Sequence, residues 1–162
     1  MKPQSILFVC TGNICRSPTA EGVMRKKIQE RGWSGWLSVD SAGTHAYHVG
    51  EPPDTRSQAH AAQRGYDLAD LRARRVDNSD FDRFDYIVAM DDEHFDILRA
   101  KCPPHHASKL AMMMHHARRH HSEIVPDPYY GGPAGFEEVL DYLEDACDGM
   151  FDAIAETLPK QP

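Results

Sequence analysis

Alternating strand and helix signals from end to end predict an α/β fold: a doubly wound, four-stranded parallel sheet with helices on both faces. Two features carry that expectation. Short apolar runs of strand length recur along the chain, and each is followed by a segment with helical spacing of its apolar residues. The 162 residues are enough to bury a core without metals or disulfides. Neither an internal repeat nor a linker interrupts them, so residues 1–162 are expected to form one domain.

The first strand is Ser5–Val9, an apolar run too short for a signal-peptide core or a membrane span. A helix is expected over Pro18–Arg31, with Ala20, Val23, Met24 and Ile28 on one face and Gly32 as its stop. The second strand is Leu37–Ala42. Asp54 is the candidate N-cap of a helix over Thr55–Arg64 that Gly65 closes. Tyr86–Met90 is apolar throughout and reads as a central buried strand, followed by a helix over Asp92–Lys101. The fourth strand is assigned to Lys109–Met114, where methionine gives little local preference. Phe136, Val139, Leu140, Leu143 and Cys147, then Phe151, Ile154 and Leu158, recur at helical spacing. Gly149 is expected to divide them into two short helices, and Pro159 to end the second. Residues 115–135 read as a long loop, and loops of that length in compact domains usually carry function.

A net charge of −7 argues against nucleic acid as a partner. It also means that any anion must be held by a local, preorganised site, because the global field opposes it. The four cysteines, Cys10, Cys15, Cys102 and Cys147, have neither zinc-ribbon spacing nor the number for a disulfide scaffold. A cytoplasmic protein with reduced thiols is the expectation, although export without a visible signal is compatible with the same sequence.

The segment Val9-Cys10-Thr11-Gly12-Asn13-Ile14-Cys15-Arg16-Ser17-Pro18 lies where strand one ends and helix one begins. Ligands of open α/β sheets bind outside the carboxyl ends of the strands. Gly12 and Asn13 are the residue types most tolerant of left-handed backbone, which turns successive N–H groups inward as an anion nest. The following helix adds free N–H donors and partial positive charge, and Pro18 suits its first position. Arg16 offers a planar, permanently charged fork for two phosphate oxygens. At the base of that cradle Cys10 is favoured as thiolate, the attacking form. Ser17 can cap the helix or donate to the Cys10 sulfur, and one hydroxyl can do both. A bare Cys-x5-Arg is a weak signal, but only Cys10 satisfies it here, and the strand, Gly-Asn, Ser-Pro and helix surround it. The Gly-Lys-Ser/Thr ending of a nucleotide P-loop is missing.

Val9–Glu21 resembles the signature loop of the low-molecular-weight protein tyrosine phosphatases. Asp40–Thr44, Phe84–Asp91 and Pro126–Gly131 resemble further motifs of that family in the same order, so the similarity spans nearly the whole chain. The resemblance implies hydrolysis of protein phosphotyrosine and small aryl phosphates, without metal or cofactor, through a phosphocysteine on Cys10. It places Thr11, Gly12, Asn13, Ile14, Cys15 and Ser17 around the phosphate with Arg16. Asp127 becomes the general acid and then the base, where the bare Asp-Pro pair would otherwise read as a turn. Tyr129 and Tyr130 would form one aromatic wall and Tyr47 the other, suiting phosphotyrosine by depth. Asn13 and Ser41 resemble the network that supports the loop. One departure is Leu71-Arg72, where some relatives carry a histidine joined to that network. Cys15 stands where the family forms a reversible disulfide with its nucleophile, or else is a small buried hydrophobe. Phosphotyrosine proteins are the implied partners, with neither nucleic acid nor membrane insertion; the oligomeric state stays open.

An arsenate reductase would share the loop but needs further cysteines on a mobile segment, and residues 78–95 contain none. An arginine phosphatase resembles the chain except for Thr at the Ile14 position. A silent phosphoprotein-binding module would have lost Cys10, Arg16 or Asp127. The pairs His105-His106, His115-His116 and His120-His121 read as a solvated stretch in which no cysteine or carboxylate completes a metal set. Arg72, Arg74 and Arg75 read as a solvated face.

Overall fold

The computed structural model describes residues 3–158. The elements in chain order are β1 (Gln4–Cys10), α1 (Arg16–Glu30), β2 (Leu37–Gly43), α2 (Thr55–Gln63), α3 (Asp80–Arg83), β3 (Tyr86–Ala89), α4 (Asp92–Lys101), β4 (Leu110–Met112) and α5 (Pro133–Ala155). Short 3-10 helices at Pro104–Lys109 and Met113–His116 flank β4. The sheet order is β2-β1-β3-β4 with every pairing parallel, as expected of a doubly wound fold. Winding outward in both directions from β1 opens a crevice at the carboxyl ends of β1 and β3.

Both faces of the sheet are covered, which explains why the central strands are apolar throughout rather than alternating. Ile6, Phe8, Val88 and Met90 pack on one face against Met24 of α1 and Leu143 and Cys147 of α5. Leu7, Val9, Ile87 and Ala89 pack on the other against Phe81 of α3 and Leu98 of α4. A buried Leu, Ile or Phe of this kind contributes roughly 1.5–3 kcal/mol from water exclusion. The two cores hold β1 and β3, and hence the loops that leave them, in fixed register: Cys10 at the end of β1 stands opposite Gly43. No helix among the described residues is long and apolar enough to cross a membrane.

Several elements depart from the sequence reading. Helix α1 begins at Arg16, so Cys15 is its N-cap, with no side-chain cap bond, and Ser17 is not the cap. Pro18 is consequently the third helical residue, still within the first turn where a missing N–H costs nothing. Helix α5 is continuous through Gly149. A Cβ at Gly149 would run into the carbonyl oxygen of His116, so the glycine is there for close packing against the 3-10 helix, not for a break. The fourth strand shrinks to Leu110–Met112, and Met113–His116 turns out of the sheet. Helix α3 was not anticipated; it is only four residues long. Asp54 and Gly65 act as read: the Asp54 carboxylate accepts from the Arg56 N–H at 2.8 Å, and Gly65 has φ +88°. Pro159 lies outside the described residues.

The long connection before α5 is tethered despite its lack of pattern. The carboxylate of Asp145, fully buried in α5, accepts from the backbone N–H groups of Arg118, Arg119 and His120 at 2.8–2.9 Å. It also pairs with the His120 ring at 2.9 Å. Burial alone would raise the Asp145 carboxyl, but these donors outweigh it and hold it well below the usual carboxylate range. The histidine stretch is therefore not simply solvated. Nor is Arg74, whose guanidinium bonds Asp40 and buried Asp80 beside the sheet.

Candidate active site

The segment joining β1 to α1 turns tightly over the end of the sheet. Asn13 takes the left-handed conformation, φ +59°, while Gly12 does not. Gly12 serves a different need: a Cβ there would lie 2.8 Å from the His48 ring. Gly43 lets the end of β2 meet the loop, since a Cβ would stand 2.6 Å from the Thr11 carbonyl oxygen. Among the described residues, the N–H groups of Gly12, Asn13, Ile14 and Cys15 have no protein acceptor. With the unpaired amides that begin α1, they form a ring of free donors.

Cys10, where β1 runs into this loop, is buried, and its sulfur lies 3.0 Å from Ser17 Oγ. The side chain of Asn13 secures its strained backbone with three bonds. Its Nδ2 donates to Ser17 Oγ at 2.8 Å and Ser41 Oγ at 2.9 Å, and its Oδ1 accepts from the Arg74 N–H at 3.0 Å. That last bond meets the need left by the departure at Leu71-Arg72: a backbone amide two residues on supports the loop. Ser41 Oγ donates to buried Glu21 Oε1 at 2.6 Å. Burial raises the Glu21 carboxyl, while the Ser41 hydroxyl and the paired Arg25 pull it back. With Glu21 as acceptor, Ser41 donates to Glu21 and Asn13 donates to both serines, which leaves the Ser17 proton to the Cys10 sulfur at 3.0 Å or the Ala42 carbonyl at 3.4 Å.

Arg16 is almost wholly buried, and its guanidinium is anchored at both terminal nitrogens. Nη1 donates to Asp91 Oδ2 at 2.9 Å and to the Val125 carbonyl at 3.1 Å, and Nη2 reaches Thr11 Oγ1 at 3.5 Å. Asp91 stands just past the C-terminal end of β3 and caps α4, its Oδ1 accepting from the His94 N–H at 3.1 Å. Burial pushes the Asp91 carboxyl up, but the His94 side chain, its backbone N–H and the Arg16 guanidinium together hold it below the usual range. Sequence reasoning assigned no role to Asp91, His94 or Glu21. For Asp91 a signal existed, an acid at the carboxyl end of a central strand; the other two needed three dimensions.

Above the loop opens a cleft of about 210 Å³. Cys10, Thr11, Gly12, Ile14, Cys15 and Arg16 form its floor, and Tyr47, His48, Asp127, Tyr129 and Tyr130 its walls. Of the expected site residues, Asn13, Ser17 and Ser41 do not line the cleft; their side chains work beneath the loop. Tyr47 and Tyr130 are 71% and 91% exposed, so large apolar rings face solvent at the rim. Tyr47 stacks on His45 at 5.0 Å, and Tyr129 meets Tyr130 edge-on at 5.0 Å. The Arg56 guanidinium, fixed by Asp54, lies over the Tyr129 ring at 5.3 Å and braces the far wall from α2. Asp127 Oδ1 accepts from the Tyr129 N–H at 3.0 Å, and Oδ2 stands 3.8 Å from Arg16 Nη2, half exposed to the cleft.

The second thiol of the floor, Cys15, is buried, and burial pushes it up to about 12. All four cysteines are free. Away from the cleft, the Asp82 carboxylate comes within 4.8 Å of ring nitrogens of both His105 and His106, so a carboxylate does join one histidine pair. Its Oδ1 already bonds His106 Nε2 at 2.7 Å.

Comparison with known proteins points to one family. The family model of the low molecular weight phosphotyrosine protein phosphatases matches residues 5–160. A low molecular weight protein-tyrosine-phosphatase of Streptomyces coelicolor is 43% identical, over 93% of each chain. The human low molecular weight phosphotyrosine protein phosphatase is 37% identical, over 89% of this chain and 91% of its own. Among solved structures, a protein tyrosine phosphatase of Entamoeba histolytica with Hepes in its active site superposes with a TM-score of 0.93 at 43% identity. That alignment covers 95% of this chain and 98% of the other. YfkJ of Bacillus subtilis superposes with a TM-score of 0.92 at 34% identity, covering 98% and 99%.

Proposed function

The chain belongs to the low molecular weight phosphotyrosine protein phosphatases, and from that premise we propose that it hydrolyses phosphotyrosine on proteins, and small aryl phosphates, through a phosphocysteine on Cys10. As a member it is a hydrolase of phosphoric monoesters. The observation that carries the mechanism is one cleft lined by Cys10, by a loop whose N–H groups have no protein acceptor, by the anchored Arg16 and by the Asp127 carboxylate.

In the first step the Cys10 thiolate attacks phosphorus in line with the ester oxygen. The S–P bond forms as the P–O bond breaks, and Asp127 gives its proton to the departing phenolate. Loop amides and Arg16 hold the three non-bridging oxygens, where charge gathers in the transition state. In the second step Asp127, now a carboxylate, takes a proton from water as the water attacks phosphorus. The sulfur leaves as thiolate, stabilised by the Ser17 hydroxyl at 3.0 Å. Tyr47 and Tyr129 suit a flat phenyl ring between them, and the depth of the floor favours phosphotyrosine over shorter phosphoserine. Cys15, on the same floor, is the partner for a reversible disulfide: a peroxide oxidises Cys10 to the sulfenic acid, which condenses with the Cys15 thiol and releases water.

Steady-state hydrolysis of para-nitrophenyl phosphate, with chelator present, tests the reading in wild type and Cys10→Ser. Wild type is expected to turn over and Cys10→Ser to be inactive while still binding phosphate. A Cys10→Ser variant of near-normal activity ends the covalent mechanism. If wild type is inactive on this ester and on a phosphotyrosine peptide alike, the reading fails, and arsenate and phosphoarginine become the substrates to try.

A further inference from the structure

Behind Arg16 lies a buried group to which the proposed chemistry gives no task. His94, in the first turn of α4, is 1% exposed and does not line the cleft. Its Nε2 lies 2.7 Å from Thr11 Oγ1. Its Nδ1 lies 3.2 Å from Asp91 Oδ1, short of good hydrogen-bond geometry, and has no other partner. We propose that His94 is a positioning residue for the phosphate site: with its Nδ1–H turned to Asp91 and its Nε2 accepting from the Thr11 hydroxyl, it orients both side chains that hold Arg16. The inference rests on the phosphatase reading of this site.

The tautomer follows from where the ring proton can go. Burial and the nearby Arg16 charge lower His94 to about 4; Asp91 and Asp127 oppose this, and His45 adds to it. The ring is therefore neutral at pH 7 and carries one N–H, which has two places to sit. On Nε2 it would donate to Thr11 and leave the Nδ1 lone pair facing a carboxylate oxygen, buried and unpaired. Such an arrangement is costly. On Nδ1 it points at the carboxylate, and Nε2 accepts from Thr11. Only the second arrangement turns the ring proton toward the carboxylate oxygen 3.2 Å away while Nε2 accepts from Thr11.

The effect reaches the substrate through Arg16. The one hydroxyl proton of Thr11 is committed to His94, so the oxygen turns its lone pairs to Arg16 Nη2. Among the described residues, Asp91 and Thr11 are two of the three groups that hydrogen-bond the guanidinium, the third being the Val125 carbonyl. One imidazole thus fixes two of the three, and Arg16 is aimed before any phosphate arrives. Preorganisation of this kind lowers the ordering cost of binding.

The test measures the Kd of inorganic phosphate, which needs no turnover, beside KM and kcat for para-nitrophenyl phosphate. His94→Phe keeps the ring volume and removes both nitrogens; Thr11→Val keeps shape and removes the hydroxyl. Each is expected to weaken phosphate binding roughly 5–30-fold and to raise KM in step, the factor that corresponds to losing about 1–2 kcal/mol of hydrogen bonding. The double variant should be no worse than either single one, because both cut the same link. His94→Gln, whose amide oxygen can accept from Thr11, should recover most of the affinity. In wild type, nitrogen-15 spectra of the imidazole should show the proton on Nδ1. A folded His94→Phe with wild-type phosphate affinity, or a proton found on Nε2, overturns the proposal. Should His94→Phe fail to fold, Thr11→Val and the wild-type spectrum decide. If phosphate binding depends on His94 but no aryl phosphate is hydrolysed, the phosphatase reading falls and the positioning role stands. If aryl phosphate is hydrolysed with no such dependence, the positioning role falls and the phosphatase reading stands.

Discussion

At the scale of single residues, the site divides into groups that face the cleft and groups that hold them. Cys10, Arg16 and Asp127 face it; Asn13, Ser17, Ser41, Glu21 and Asp91 act from behind. Among the described residues, the Asp127 carboxylate is joined to its neighbours through the Tyr129 N–H and a long approach to Arg16, which leaves its second oxygen free to handle a proton. Asp127→Ala should lower kcat by on the order of 10²–10⁴-fold, the usual loss for a general acid. The loss should be smaller for para-nitrophenyl phosphate than for phenyl phosphate, because a better leaving group needs less protonation. Equal losses on both esters in stopped and continuous assays would count against the acid role. Cys10 and Arg16 were readable in the sequence because the loop is one continuous stretch, Val9–Pro18, with its chemistry side by side, whereas Asp127 was reached through the family resemblance. The holding groups were mostly not: Glu21, Arg74, Asp91 and His94 reach the loop from four different elements or connections, and only tertiary packing brings them there.

At the scale of elements, Gly149 sets propensity against packing. Intrinsic propensity makes a mid-helix glycine a weak point, and Gly→Ala there is ordinarily stabilising by about 1 kcal/mol. In this fold α5 passes unbroken over the His116 carbonyl, and a methyl group would collide with it. Gly149→Ala is therefore expected to be destabilising, by roughly 1–3 kcal/mol as in overpacked cores, when measured by urea denaturation. A stabilised variant would show that the contact yields easily. The same contrast explains the other differences. Helices with caps and strong period, such as α2 and α4, lay where the sequence put them. The start of α1 moved because Arg16 and Ser17 enter the helix while serving the loop, and β4 shortened because a methionine run has no preference to defend.

For the molecule as a whole, the parallel order β2-β1-β3-β4 brings the ends of β1 and β3 together and leaves the walls of the cleft to two connections, the one after β2 and the one before α5. The latter carries Asp127, and it is tied to the fold through the buried carboxylate of Asp145. Because Asp145 is held below its unfolded range, its contribution is fully present above the unfolded pKa, about 4, and is lost as pH falls through the lower folded value. Asp145→Asn should lower Tm at pH 7 by on the order of 5 °C. The gap between wild type and variant should narrow as pH drops below about 4; a constant gap down to strongly acid pH would mean that the charge on Asp145 is not what holds the segment. None of this tether was visible in the sequence, where 115–135 showed no period and an aspartate in a helix looks like any other surface acid. The fold class and the existence of a site were visible, because they depend on local pattern and on one contiguous loop.

The central claim is that phosphate passes through Cys10. Its most direct test is to mix the protein with excess aryl phosphate, quench with denaturant at alkaline pH within the first turnovers, and locate phosphate on the digested protein by mass spectrometry. The mechanism predicts phosphate on the peptide carrying Cys10 in wild type, and none in Cys10→Ser. Phosphate on another side chain, or rapid turnover with no labelled peptide under conditions that preserve an S–P bond, would contradict it.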